Sequence, residues 1–233
     1  PYFVYRPPDL PVDKPVPLVI FLHGYVPGTA RTDPYLVSDF VLRLADRAKC
    51  ILVIPHGRTN TDFQYAGEVD VMRVKAEMLA FYPVDPDRVY LLGVSMGGAG
   101  AWQVACHYPD HFAATAPING QADWFRFWHQ NFGYPAREEL PDHLNYLIAL
   151  NNPLDLASNL KNLYSYSQQA LTCFVGIEHT RAMVRQLKAT GAPFETFEDP
   201  SDMGHYIYWQ PDCWERAFEH LADKQRFATP ASV

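Results

Sequence analysis

A chain of 233 residues that is 48% hydrophobic can bury one sizeable core. Its net charge of −7, without basic clusters, leaves no electrostatic footprint for binding nucleic acid. No apolar run approaches the roughly 18–20 residues that cross a bilayer, none of the given residues reads as a signal peptide, and the compartment stays open between cytoplasm and export with the signal removed.

Tyr2-Phe3-Val4-Tyr5 reads as a first strand, closed by Pro7-Pro8. Pro17-Leu18-Val19-Ile20-Phe21-Leu22 is continuously apolar, as expected for a strand buried in a parallel sheet, and it ends in His23-Gly24-Tyr25. A Pro/Gly loop through Gly28 leads to a helix expected from about Asp33 to Lys49, with Leu36, Val37, Phe40, Val41 and Leu44 at near-helical spacing. Cys50 to Ile54 is the next buried strand, turned by Pro55-His56-Gly57. Asp70 is expected to cap a helix through Phe81, with Val71, Val74, Met78 and Leu79 facing inward. Tyr82 to Asp87 forms a turn before a central strand from Arg88 to Val94. A helix from Gly98 to Tyr108 stops before Pro109, and Phe112 to Ile118 is a short strand. Late in the chain, strand-like Pro193-Phe194-Glu195-Thr196-Phe197 precedes Met203-Gly204-His205 and a final helix.

This alternation predicts an α/β fold with a mostly parallel sheet and helices on both faces, whose ligand sites lie at the carboxyl ends of the strands. The expected organisation is one domain over 1–233 with a cap-like insertion at about 121–160. That insertion holds Trp124, Phe125, Phe127, Trp128, Phe132, Tyr134 and Tyr146. It is read either as a cap whose Trp124 and Trp128 wall an acyl or aryl group, or as a helical excursion packed on the body.

Gly93-Val94-Ser95-Met96-Gly97, between an apolar strand and a small-residue helix, has the form of a nucleophile elbow. The serine needs a sharp turn, and the flanking glycines leave room for the neighbouring strand and helix. The loop after the Pro17–Leu22 strand and the residue after the serine then supply oxyanion amides, from Tyr25 and Met96. His205, behind the serine in the chain, supplies the general base. Cys50, Cys106, Cys173 and Cys213 lack metal-ligand spacing, and a Cys173–Cys213 disulfide stays open. The nine histidines lack clustered acidic or thiol partners, so neither a metal nor another cofactor is expected, and the expected partner is a small ester substrate.

With these residues placed, the chain resembles the α/β-hydrolase superfamily. Within it, the chain is similar to bacterial esterases and prolyl-oligopeptidase-like hydrolases of the poly(hydroxyalkanoate)-depolymerase and feruloyl-esterase type. The resemblance is carried by Pro17–Gly24, Phe81–Gly98, Tyr108–Gly120, Glu178–Ala192 and Met203–His205. It implies an acyl-enzyme on Ser95, with His205 as base and the Tyr25 and Met96 amides on the oxyanion; a small serine peptidase is the rival with the same chemistry. In that family a triad aspartate follows the strand before the Glu178 helix. Here residues 164–177 contain no acid, and counting back from Glu178 puts Thr172 at that place. Three readings stay open: Asp123 supplies the acid from another strand end; Glu178 reaches back from its helix; or Thr172, a carbonyl or water orients His205, leaving a weak enzyme or a non-catalytic relative. Asp199 and Asp202 are read as shaping the His205 loop.

Overall fold

The apolar run after Pro15 forms a strand, β2 (Val16–Leu22), that is buried along its whole length. The computed structural model describes residues 1–11, 13–28, 35 and 37–227. Its other strands are β1 (Tyr2–Tyr5), β3 (Ile51–Pro55), β4 (Val84–Val94), β5 (Ala114–Ile118), β6 (Tyr164–Ala170) and β7 (Phe194–Asp199). They form one sheet in the order β1-β3-β2-β4-β5-β6-β7. Only β1 runs antiparallel, against β3. The mostly parallel α/β arrangement expected from the sequence is the one observed.

The principal helices are α1 (Asp39–Ala48), α2 (Ala66–Phe81), α3 (Met96–His107), α4 (Trp124–Phe132), α5 (Asp142–Ala149), α6 (Glu178–Thr190) and α7 (Pro211–Ala222). Val41 and Leu44 of α1 share one core layer with Trp214 and Phe218 of α7. Val71, Val74 and Met78 of α2, Trp102 and Val104 of α3, and Met183 and Leu187 of α6 fill the other. Both faces of the sheet are thus covered, which is what continuous apolar strands such as β2 and β3 require. Among the described residues no helix is long and apolar enough to cross a membrane.

Several boundaries differ from those expected. The first helix begins at Asp39 instead of about Asp33, and both Asp33 and Leu36 lie outside the described residues. The second helix starts at Ala66, a turn before Asp70, because the Asp70 carboxylate is engaged by the preceding loop: Oδ2 accepts the Gly57 amide at 3.0 Å. The strand before the elbow starts at Val84, inside the expected turn, and α3 starts at Met96, immediately behind the serine. Residues 121–160 hold α4, a 3₁₀ turn at Arg137–Glu139 and α5, which has no buried residue.

Candidate active site

At the carboxyl end of β4 the chain reverses at Ser95, whose φ of 55° and ψ of −121° lie where a side chain is strained. Two tight approaches impose this turn. A Cβ on Gly97 would collide with the Leu22 carbonyl, and one on Gly93 with the Gly97 carbonyl. The elbow is tied down by the Ser95 amide, which donates to the Ile118 carbonyl of β5 at 2.9 Å. Its hydroxyl stands at the amino end of α3, where the first amides have no helical acceptor.

His205 reaches this serine from a 3₁₀ turn, Gly204–Trp209, that follows β7. Its Nε2 lies 2.7 Å from Ser95 Oγ. The loop carrying Tyr25 also abuts the elbow, since a Cβ on Gly24 would stand 3.5 Å from Ser95 Cβ. Asn60 holds the next residue of that loop with reciprocal bonds: its Oδ1 accepts the Val26 amide at 3.1 Å, and its Nδ2 donates to the Val26 carbonyl at 2.9 Å. The structure therefore gathers Ser95, Met96, the Tyr25 loop and His205 at one end of the sheet.

The other nitrogen of His205 faces no carboxylate. Nδ1 lies 3.0 Å from the sulfur of Cys173, which follows the carboxyl end of β6 and is buried. This corrects the search for an acid. Asp123 precedes α4 with its carboxylate on Asn152, Oδ1 accepting Asn152 Nδ2 at 3.2 Å. Glu178 opens α6 with a half-exposed side chain that pairs with Arg181 at 3.3 Å and Arg185 at 3.9 Å. Thr172, the position reached by counting, points its hydroxyl at the Ser201 carbonyl 3.5 Å away, one residue short of the side chain that meets the histidine. Asp199 accepts the Ser201 amide at 2.9 Å and so shapes the loop before His205. Cys173 and Cys213 are both free thiols, so no disulfide joins them.

The electrostatics follow from the missing charge. Burial pushes His205 down to about 4, with no carboxylate to oppose it. Burial likewise pushes the Cys173 thiol up to about 11, so it is neutral at physiological pH. His205 is therefore an uncharged imidazole across the neutral range, able to accept a proton at Nε2.

Asn119 is a site residue that sequence reasoning passed over. It is fully buried at the end of β5 with φ of 49°, in the left-handed region that asparagine tolerates. Its Nδ2 donates to the carbonyls of His205 at 2.9 Å and Gly204 at 3.3 Å, while Oδ1 accepts the Ala170 amide at 2.9 Å. One side chain thus fixes the backbone of the histidine to the ends of β5 and β6. The available signal was an asparagine directly after a buried strand on the site side of the sheet.

The aromatic groups near His205 also differ from those expected. Trp124 is 1% exposed, packed 5.6 Å from Trp128, and has little surface to offer a ligand. The rings around His205 are Phe174 at 4.3 Å, Tyr208 at 5.9 Å and Tyr206 at 6.0 Å, with Trp209 stacked on Tyr206 at 4.6 Å. Phe174, Tyr206 and Trp209 are exposed. Among the described residues no three His, Cys, Asp or Glu side chains gather as a metal site.

The chain is similar to several known proteins. Poly(3-hydroxyalkanoate) depolymerase C of Paucimonas lemoignei is 30% identical over 132 residues, covering 51% of this chain and 30% of that protein. The chain spans less than a third of the length of the curated relatives it matches. Among solved structures, the Pyrococcus horikoshii acylaminoacyl peptidase superposes with a TM-score of 0.75 at 19% identity, covering 100% of this chain and 41% of that one. An S-formylglutathione hydrolase from Agrobacterium tumefaciens gives 0.68 at 16% identity, covering 94% and 89%. These superpositions identify the α/β-hydrolase fold. The model of the prolyl oligopeptidase family matches residues 61–222, which take in the elbow, β5 to β7 and His205, and the chain belongs to that family.

Proposed function

We propose that this chain is a serine hydrolase that cleaves carboxylic esters through an acyl-enzyme on Ser95. The observation that carries the reading is the 2.7 Å approach of His205 Nε2 to the hydroxyl of a serine held on a strained elbow. The Ser95 oxygen attacks the ester carbonyl and passes its proton to Nε2 while the carbonyl π pair moves onto oxygen. The amides of Tyr25 and Met96 receive that oxyanion. Collapse expels the alcohol oxygen, which takes the proton from Nε2, or a phenolate, whose departure leaves that proton to pass from Nε2 to solvent. Water then repeats the sequence on the acyl-enzyme, releasing the carboxylic acid and restoring Ser95.

Family membership also favours a second reading, cleavage of peptide amides. An amine leaving group must be protonated as it departs, which places more demand on the histidine than an ester does. With a neutral thiol where a carboxylate would stand, we favour the ester. The poly(3-hydroxyalkanoate) depolymerase relative points the same way. The exposed apolar residues of α5, Leu144, Tyr146 and Leu147, fit a cap over bound substrate.

The test is labelling by a fluorophosphonate and turnover of p-nitrophenyl acetate, with Ser95→Ala as control. Labelling at Ser95 and turnover lost in the variant are expected. Absence of both in the wild type would refute the hydrolase, and preferential cleavage of a peptide amide would replace esterase by peptidase.

A further inference from the structure

The buried thiol of Cys173 stands on His205 Nδ1, just past the end of β6 and one residue beyond the place where the resemblance puts a carboxylate. The Gly176 amide donates to the Cys173 carbonyl at 2.9 Å, closing the turn that carries the thiol. Phe174, adjacent in the chain, lies 4.3 Å from the imidazole and covers it. The position therefore keeps one feature that suits a carboxylate, contact with Nδ1 at 3.0 Å, while the resident side chain is neutral.

Two proton arrangements satisfy the distances. If the thiol donates to Nδ1, then Nε2 carries the ring hydrogen and cannot accept from Ser95. If Nδ1–H donates to sulfur, Nε2 is free to accept. Ser95 Oγ, 2.7 Å from Nε2, can pass its proton there only in the second arrangement, which the hydrolase reading therefore requires.

We propose that Cys173 is the third member of a Ser95–His205–Cys173 relay, a positioning residue that fixes the Nδ1–H tautomer of His205 without supplying charge, and that this confines the site to esters with good leaving groups. This rests on the hydrolase reading above. The chemistry separates the two duties of a triad acid, which are orientation of the imidazole and stabilisation of the imidazolium. A thiol accepting from Nδ1–H performs the first. Being neutral, it contributes little to the second, so the protonated intermediate is costly. The carbonyl of an aryl ester is the more electrophilic and is attacked with less of the proton transferred to Nε2, so the missing charge costs it less than it costs an alkyl ester. The substrate class is therefore aryl esters and comparably activated esters, consistent with the exposed rings of Phe174, Tyr206 and Trp209 beside the histidine.

The decisive measurement is the ¹⁵N spectrum of His205 at neutral pH in the wild type, Cys173→Ala, Cys173→Ser and Cys173→Asp. The wild type is expected to show Nδ1 protonated and Nε2 free. Cys173→Ala should shift the ring toward the other tautomer, and the hydroxyl of Cys173→Ser should restore the wild-type pattern in part. An identical tautomer in wild type and Cys173→Ala overturns the proposal, whether or not the protein is active.

Kinetics test the substrate class with acetate esters ranging from p-nitrophenyl to ethyl. Cys173→Asp should raise turnover of the ethyl ester by at least about tenfold relative to the p-nitrophenyl ester, a small part of the roughly 10⁴ that triad-acid function is worth in serine proteases. An unchanged ratio in a folded Cys173→Asp variant overturns the leaving-group restriction. A tautomer shift without Ser95-dependent turnover would leave Cys173 as the positioning group and refute the hydrolase alone.

Discussion

Removing the side chain of Asn119 provides the most direct check on how His205 is held. Asn119→Ala deletes one acceptor and two donor contacts from a site with no solvent access, at 2.9, 2.9 and 3.3 Å. The Ala170 amide is left buried without this partner, at a cost of about 1–3 kcal/mol. The carbonyls of Gly204 and His205 are only half-buried and recover part of their loss from water. Alanine also fits φ of 49° less well than asparagine, adding about 1 kcal/mol. The sum is about 2–4 kcal/mol, or roughly 4–16 °C in melting temperature for a chain of this size. Because the deleted donors fix the His205 backbone, kcat for p-nitrophenyl acetate should fall by about 10²-fold, the scale expected for a displacement near 1 Å. Urea unfolding followed by tryptophan fluorescence gives the first quantity and steady-state kinetics the second. Asn119→Asp separates the contributions. It keeps the acceptor for Ala170 but turns a carboxylate toward the His205 carbonyl, so it should lose activity at least as severely as the alanine variant. A loss of under about 1 kcal/mol with kcat unchanged in Asn119→Ala would show that the histidine loop holds itself in place.

Two other outcomes follow from the strained elbow and the buried histidines. Ser95→Gly and Ser95→Ala both remove the hydroxyl, but only glycine relieves φ of 55°; the glycine variant should be more stable by about 1 kcal/mol, or roughly 2–4 °C by calorimetry. Equal melting temperatures would mean that the turn stores no strain. Burial lowers His179, His205 and His220 to about 4 each, most clearly His179, which is fully buried. The unfolded chain accepts protons near pH 6.5 that the folded chain refuses, so stability is complete above that pH and declines as pH falls toward 4. His179 alone contributes on the order of 3 kcal/mol across that window. Urea midpoints that stay level from pH 7 to 5 would contradict this.

The sheet was legible because β2, β3 and the second half of β4 are continuous apolar runs and the elbow announces the strand-to-helix turn at Ser95. Polar elements were less visible. β6 reads Tyr-Ser-Tyr-Ser-Gln-Gln-Ala, and its serines and glutamines are buried, so it carries no hydrophobic run. Asp70 has the composition of a helix cap, yet its carboxylate is committed to Gly57, a contact only tertiary structure reveals. The partner of His205 was obscure for a chemical reason. A search for an acid passes over cysteine, and Asp123 and Glu178 look suitable until Asn152, Arg181 and Arg185 are seen to occupy them. The aromatic signal of α4 was real, but Trp124 spends it on packing, while the rings near the imidazole come from the segments after β6 and β7.

Ser95, Cys173 and His205 follow three different strands, and the contact between serine and histidine joins residues 110 apart. A growing chain that has completed β4 already contains the elbow but has no base within reach. The centre closes only after β5, β6 and β7 have docked in turn, and pairings over such separations are slow to form. On the proposed reading, reactivity at Ser95 is therefore a report on late folding, absent until the strands that carry Cys173 and His205 are in place.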